Sequence, residues 1–334
     1  METRKVQISG GSTFIVSLPK KWAVKNGIGS GSSVNILEDR TGNLILSTRP
    51  VSFREVQTGE IKLTGKESTE AIMRRLVGAY VSGVNQIEVK GKTAIPAELS
   101  RTVREFTRLV MGVEIVEEKK DLIRLHDLID PADFSVRSGL KRMAYITEQM
   151  ISDSLKGLME PNPPLMDDVI MRDIEVDRIS WLIHKEYNMM SRSPKMADKA
   201  KLSPEDALNY LIASRVIERV ADHANSMAVR LRDAEVTAAK EFLRSIYEEG
   251  VFSQKVFTES VSSLLSQDLS LADSVIDRAR AQKKRLDPLL REAFKLPPDE
   301  AVLLAFILNS IDRISSYGGD IGKTALNRAT PIKK

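Results

Sequence analysis

From about residue 137 to the end of the chain, apolar residues recur at three- and four-residue spacing, the period of a helix with one buried face. Breakers at Pro161 to Pro164, Pro194, Pro204 and Pro297-Pro298 cut this half into roughly six long segments, which predicts a helical bundle. Residues 54 to 130 behave differently. "GEIKLTG" and "NQIEVKG" read as strands, and "ESTEAIMRRLVGAYVSG" and "PAELSRTVREFTRLVMG" as helices. "VEIVEEKKDLIRLHDLID" reads as a terminal hairpin, so the segment is a small α/β sandwich. Residues 1 to 49 are β-rich. "KVQIS" and "TFIVSLP" alternate around Gly10-Gly11-Ser12, "PKKWAVKNG" is one short helix, and "SSVNILED" and "NLILSTR" flank Thr41-Gly42. So short a module buries little apolar surface alone and calls for a partner chain.

The helical half repeats itself. "SPEDALNYLIASRVIERVADHAN" (203 to 225) aligns with "PPDEAVLLAFILNSIDRISSYGG" (297 to 319) at a constant offset of 94. The preceding helices align at an offset of 100, "DIEVDR" (173 to 178) on "DSVIDR" (273 to 278). Two copies of a three-helix unit, 137 to 235 and 236 to 329, account for both.

The repeat puts acids one helical turn apart, Asp173 with Asp177, Glu218 with Asp222 and Asp273 with Asp277, and sets the first two pairs together and the third with the single acid Asp312. Facing acidic pairs on neighbouring helices repel unless a cation sits between them. Carboxylates and one imidazole, His223, suit Mg, Mn, Fe or Zn. The alternative is that each pair lies on a solvated face neutralised by Arg178, Arg219 or Arg313, and His223 caps a hydrogen bond. The two readings stay open. The second copy is poorer, with Ser316-Tyr317 in place of Asp222-His223 and Asp320 one turn beyond Ser316. Asp320 is either a compensating ligand or a surface acid beside Lys323.

Composition narrows the field. The chain of 334 residues has no cysteine, which excludes disulfides, thiolate metal sites and cysteine nucleophiles. It shows no targeting segment and no run of about 18 apolar residues, so a cytoplasmic protein without membrane insertion is expected. Net charge is +4, and the first 49 residues, with seven Lys/Arg against three Asp/Glu, hold the whole excess. A basic module on a neutral body points to an anionic partner such as DNA, or to a solvated basic end. No phosphate-loop or dinucleotide fingerprint is present. A di-metal carboxylate enzyme would need E-x-x-H, which is missing here, and His126 and His184 are isolated, so no enzyme is expected.

The segments "DIEVD", "ERVADHAN", "DSVID" and "IDRISSYGGDIG" resemble the PhoU family of phosphate-uptake regulators over roughly residues 137 to 329. That resemblance implies two tandem three-helix bundles and multinuclear iron or other metals on E/D-xxx-D motifs. The matching positions are Asp173, Asp177, Glu218, Asp222, His223, Asp273, Asp277, Asp312 and Asp320, with Ser316 a departure. "RKVQISGGSTFIVSLPKKWAVKNGIGSGSSVNILED" resembles the AbrB/SpoVT swapped-hairpin domain. It implies an interleaved homodimer that binds DNA, with Arg4, Lys5, Lys20, Lys21 and Lys25 as contacts and Trp22 a core anchor. The join of the two resembles an archaeal arrangement. The expected fold is therefore mainly α: two tandem three-helix bundles preceded by a β-rich swapped-hairpin domain and a small α/β domain of unknown role. The expected function is a dimeric regulator of phosphate transport, sensing through metal or through a phosphate ABC transporter's ATPase subunit. The rival is an adaptor whose N-terminal module only dimerises.

Overall fold

The computed structural model describes residues 2–38, 42–48, 57–129, 134–192, 200 and 202–329. The chain divides into two compact units, 1–55 and 56–334. Pro194, Thr41 and the ends of several predicted segments lie outside the described residues.

In the first unit, β1 (Gln7–Ser9) pairs antiparallel with β2 (Thr13–Ile15). Gly10 and Gly11 turn the chain between them at φ 60° and 85°, backbone that a side chain resists. Helix α1 (Lys20–Lys25) follows, then β3 (Asn35–Glu38) paired antiparallel with β4 (Leu44–Ser47). The predicted elements are all present. No core accompanies them: among the described residues of this unit no side chain is buried, and Phe14 is 72% and Ile8 65% exposed. Trp22, expected as a core anchor, is only half-buried within the chain.

The second unit opens with the α/β sandwich. β5 (Thr58–Leu63), α2 (Thr69–Val81) and β6 (Gln86–Gly91) form a parallel βαβ, and α3 (Ala97–Leu109) leads to the hairpin β7 (Val113–Glu118) and β8 (Leu122–Asp127). The sheet order is β5-β6-β8-β7. Ile72, Leu76, Val89, Val103, Phe106 and Leu125 fill the space between sheet and helices.

Six helices follow among the described residues: α4 (Val136–Met159), α5 (Pro163–Arg192), α6 (Pro204–Leu231), α7 (Lys240–Ser266), α8 (Leu269–Ala293) and α9 (Pro298–Ala329). Ser203 caps α6, accepting from the Asp206 amide at 3.0 Å, with Pro204 at the first turn. The repeats are not separate domains. One apolar core runs from Val136 through Tyr210 and Phe257 to Ala325. Gly250 of α7 meets α4 so closely that an added Cβ would lie 2.3 Å from Leu155 Cδ2. The boundary at 235/236 is thus a connection between helices, since each bundle still has an apolar face to cover after its own three helices pack.

Helix α5 is also the seat of the α/β sandwich. Trp181 packs on its core, the Asn188 amide donates to the Val81 carbonyl at 2.8 Å, and Lys185 Nζ meets Asp127 Oδ2 at 2.6 Å. Lys185 is fully buried, with its ammonium 4.8 Å from the Tyr80 ring centre. No helix among the described residues is long and apolar enough to cross a membrane.

Candidate metal centre and its counterpart in the second repeat

Helices α5 and α6 run side by side, and each brings its acidic pair to the groove between them. Asp173, Asp177 and Glu218 are half-buried, and Asp222 sits at the exposed rim. Their electrostatics are coupled. Burial, then the neighbouring Asp173, Glu218 and Asp222, push Asp177 up to about 7. Burial and Asp222 push Asp173 up to about 6, against the opposing hydrogen bond from Asn225. Glu218 and Asp222 are raised as well, chiefly by burial and against the pull of Arg215. Four carboxylates whose charged forms are all disfavoured gain from compensating positive charge. Arg215 supplies part of it, 2.7 Å from Glu218 Oε2. Arg178 and Arg219, the cations expected to do so, form no ion pair with these acids among the described residues.

Three polar groups complete the groove. Asn225 Nδ2 donates to Asp173 Oδ2 at 2.6 Å, and the Ser180 hydroxyl donates to Glu218 Oε2 at 3.3 Å. Asn225 Oδ1 is buried without a hydrogen-bond partner. An orphaned amide oxygen beside four destabilised carboxylates is an oxygen-rich donor set that suits Mg, Mn, Fe or Zn. Among the described residues no three His, Cys, Asp or Glu side chains already converge closely enough to hold one ion. Arg215, Glu218, Asp222 and Asn225 share one stripe at helical spacing, so Arg215 and Asn225 were findable from the face that holds the acids.

His223 is not part of this set. Its Nδ1 lies 3.3 Å from Ser310 Oγ on α9, and its ring packs at 5.9 Å from Tyr317. Adjacent helical residues diverge by about 100°, so Asp222 and His223 face different neighbours. Burial lowers the His223 pKa, keeping it neutral where it bridges the two repeats.

The second repeat does not rebuild the first site. Asp273 and Asp277 are exposed, and Asp277 lies 3.7 Å from Arg280. Asp320 is exposed and pairs with Lys323 at 2.8 Å. Asp312 alone is half-buried, in a groove lined by Arg280, Lys283 and Ser316 and not by Asp273 or Asp277. This set does not fit a cation: Asp273 and Asp277 lie outside the groove that Asp312 and Asp320 line, and Arg280, Lys283 and Lys323 stand among them.

In the first unit Arg4, Lys5, Lys20, Lys21 and Lys25 are all exposed, with Arg4 paired to Glu2. Lys20, Lys21 and Lys25 project from α1.

Residues 140–231 match the PhoU domain family. Residues 7–55 match the family described as antidote-toxin recognition MazE, bacterial antitoxin. No curated protein matches the chain. PhoU from Pseudomonas aeruginosa superposes with a TM-score of 0.51 at 21% identity, covering 58% of this chain and 96% of that one. The phosphate transport system regulatory protein PhoU from Streptococcus pneumoniae gives 0.50 at 13% identity, covering 57% and 91%. The chain therefore joins a MazE/AbrB-like N-terminal domain to a PhoU-like helical fold.

Proposed function

We propose that this chain is a homodimeric regulator of phosphate uptake whose N-terminal domain binds DNA. The observation that carries this reading is the surface of the first unit. Val6, Ile8, Phe14, Val24, Ile36 and Leu44 are all exposed in a unit with no buried described side chain, while its lysines project outward. An apolar set of that kind is half of a core, which a second copy would complete. Arg4, Lys5, Lys20, Lys21 and Lys25 would then neutralise backbone phosphates, giving affinity that falls with salt. The Streptococcus pneumoniae relative, a phosphate transport system regulatory protein, supports the link to phosphate uptake. The first helical groove would hold a divalent or iron cation on Asp173, Asp177, Glu218 and Asp222, supplying the positive charge these acids need. Contact with a transporter's ATPase subunit is a second output for the bundles, and a cytoplasmic location follows from the DNA partner.

Dimerisation alone explains the exposed apolar set, which favours a second reading: an adaptor whose N-terminal domain serves only as a dimer handle. Fluorescence anisotropy with a random-sequence duplex across a salt series separates the two. The regulator predicts salt-dependent binding, weakened about tenfold or more and with a flatter salt slope in Lys20→Glu/Lys21→Glu. Phe14→Glu is expected to shift the light-scattering mass toward monomer. A dimer that shows no salt-dependent DNA binding would establish the adaptor instead.

A further inference from the structure

The groove between α8 and α9 carries the opposite charge pattern to its counterpart. Two adjoining cavities of about 220 and 430 Å³ share Lys283, Asp312 and Ser316. Under the repeat alignment, Arg280 stands where the first repeat has Ser180, Lys283 where it has Ile183, and Lys323 where it has Val229. Ser316 replaces Asp222. The second groove has gained three cations, a neutral hydroxyl donor and one acid at positions that line one cavity, and the acid, Asp320, pairs with Lys323 at 2.8 Å. Lys283 has no ion-pair partner among the described residues, and Arg280 has only the loose, largely exposed contact with Asp277. A guanidinium offers a planar fork to two oxygens, and the unpaired Lys283 ammonium and a hydroxyl complete a set suited to a tetrahedral oxyanion.

The geometry points to this groove as a binding site for free inorganic phosphate, held by Arg280, Lys283 and Ser316, with Asp312 accepting the hydrogen bond of the phosphate's own hydroxyl. Asp312 is what makes the choice of anion specific. At neutral pH phosphate still carries a proton and can donate to a carboxylate, whereas sulfate cannot and would meet Asp312 as a like charge. The site depends neither on DNA binding nor on a metal in the first groove, so it stands or falls separately from the function proposed above.

The test is calorimetric titration of the full chain, freed of metal with a chelator, with sodium phosphate and with sodium sulfate. Phosphate is expected to bind and sulfate to bind at least about tenfold more weakly, the worth of one charge-assisted hydrogen bond. Lys283→Ala, with Lys283→Gln as a milder variant, should weaken phosphate about tenfold or more, and Asp312→Asn should erase the preference over sulfate. Asp177→Asn, in the other groove, should leave both affinities unchanged. No heat with phosphate at millimolar concentration, equal affinities for the two anions, or binding indifferent to Lys283 in a chain that still unfolds cooperatively would overturn the proposal. A phosphate monoester that bound more tightly than the free anion would also overturn it, reassigning the groove to a phosphorylated partner.

Discussion

The two helical repeats share a core and a chain direction, yet the grooves they present differ in sign. In the first, Asp173, Asp177, Glu218 and Asp222 crowd together and raise one another's affinity for protons. In the second, the equivalents of the α5 acids point to solvent, and Arg280, Lys283 and Lys323 outnumber Asp312 and Asp320 along the groove. The core positions beneath, such as Ile179 and Val220 in one repeat and Ile311 and Ile314 in the other, are equally buried. The scaffold is conserved between the copies while a few rim side chains set what each groove attracts. That division is what a fold reused for two ligands would look like.

The largest expected effect sharpens a second difference between the repeats, the anchoring of the α/β sandwich to α5. Lys185→Met would leave Asp127 charged and buried, and chemical denaturation should show a loss of about 3–5 kcal/mol. Its counterpart on α8, Arg285, pairs with Glu249 while 43% exposed and covers Phe252. Arg285→Met should cost no more than about 1 kcal/mol. Equal losses would mean that α5 is not the special helix.

A smaller effect concerns pH. Asp177 is held at about 7, above its unfolded value near 4, so between those values the folded chain keeps a proton the unfolded chain has released. Its contribution is therefore most favourable below about pH 4 and is lost as pH rises through about 7. Asp177→Asn should raise the stability of metal-free protein by about 1–2 kcal/mol at pH 8 and change little at pH 4, measured by thermal unfolding. Asp277→Asn, on an exposed side chain, should change little at either pH. A pH-independent effect of Asp177→Asn would remove the repulsion on which the contrast rests.

Much of this was legible in the residues. The helix breaks, the proline starts and the offset repeat placed six helices because long periodic segments with caps leave few alternatives. Alternation and glycine turns placed the eight strands of the described residues. Acid spacing located the first groove but could not tell buried acids from solvated ones, since one helical turn looks the same on either face. Spacing therefore did not reveal that Asp273 and Asp277 lie on an exposed face, nor that His223 turns to Ser310 while Asp222 faces the groove. Lys185 gave no sign of burial, because its partner Asp127 lies in another domain. The fused core of the two bundles was hidden too, as an apolar face does not name what it packs against.

The claim at the centre is that the two grooves prefer opposite charges. Elemental analysis of untagged protein equilibrated with iron, manganese or zinc tests it most directly, with Asp177→Asn/Asp222→Asn and Asp312→Asn alongside. The account predicts stoichiometric metal in the parent chain, its loss in the double variant, and full retention in Asp312→Asn. Metal that vanished with Asp312→Asn and survived the double variant, or no metal in any of the three, would contradict it.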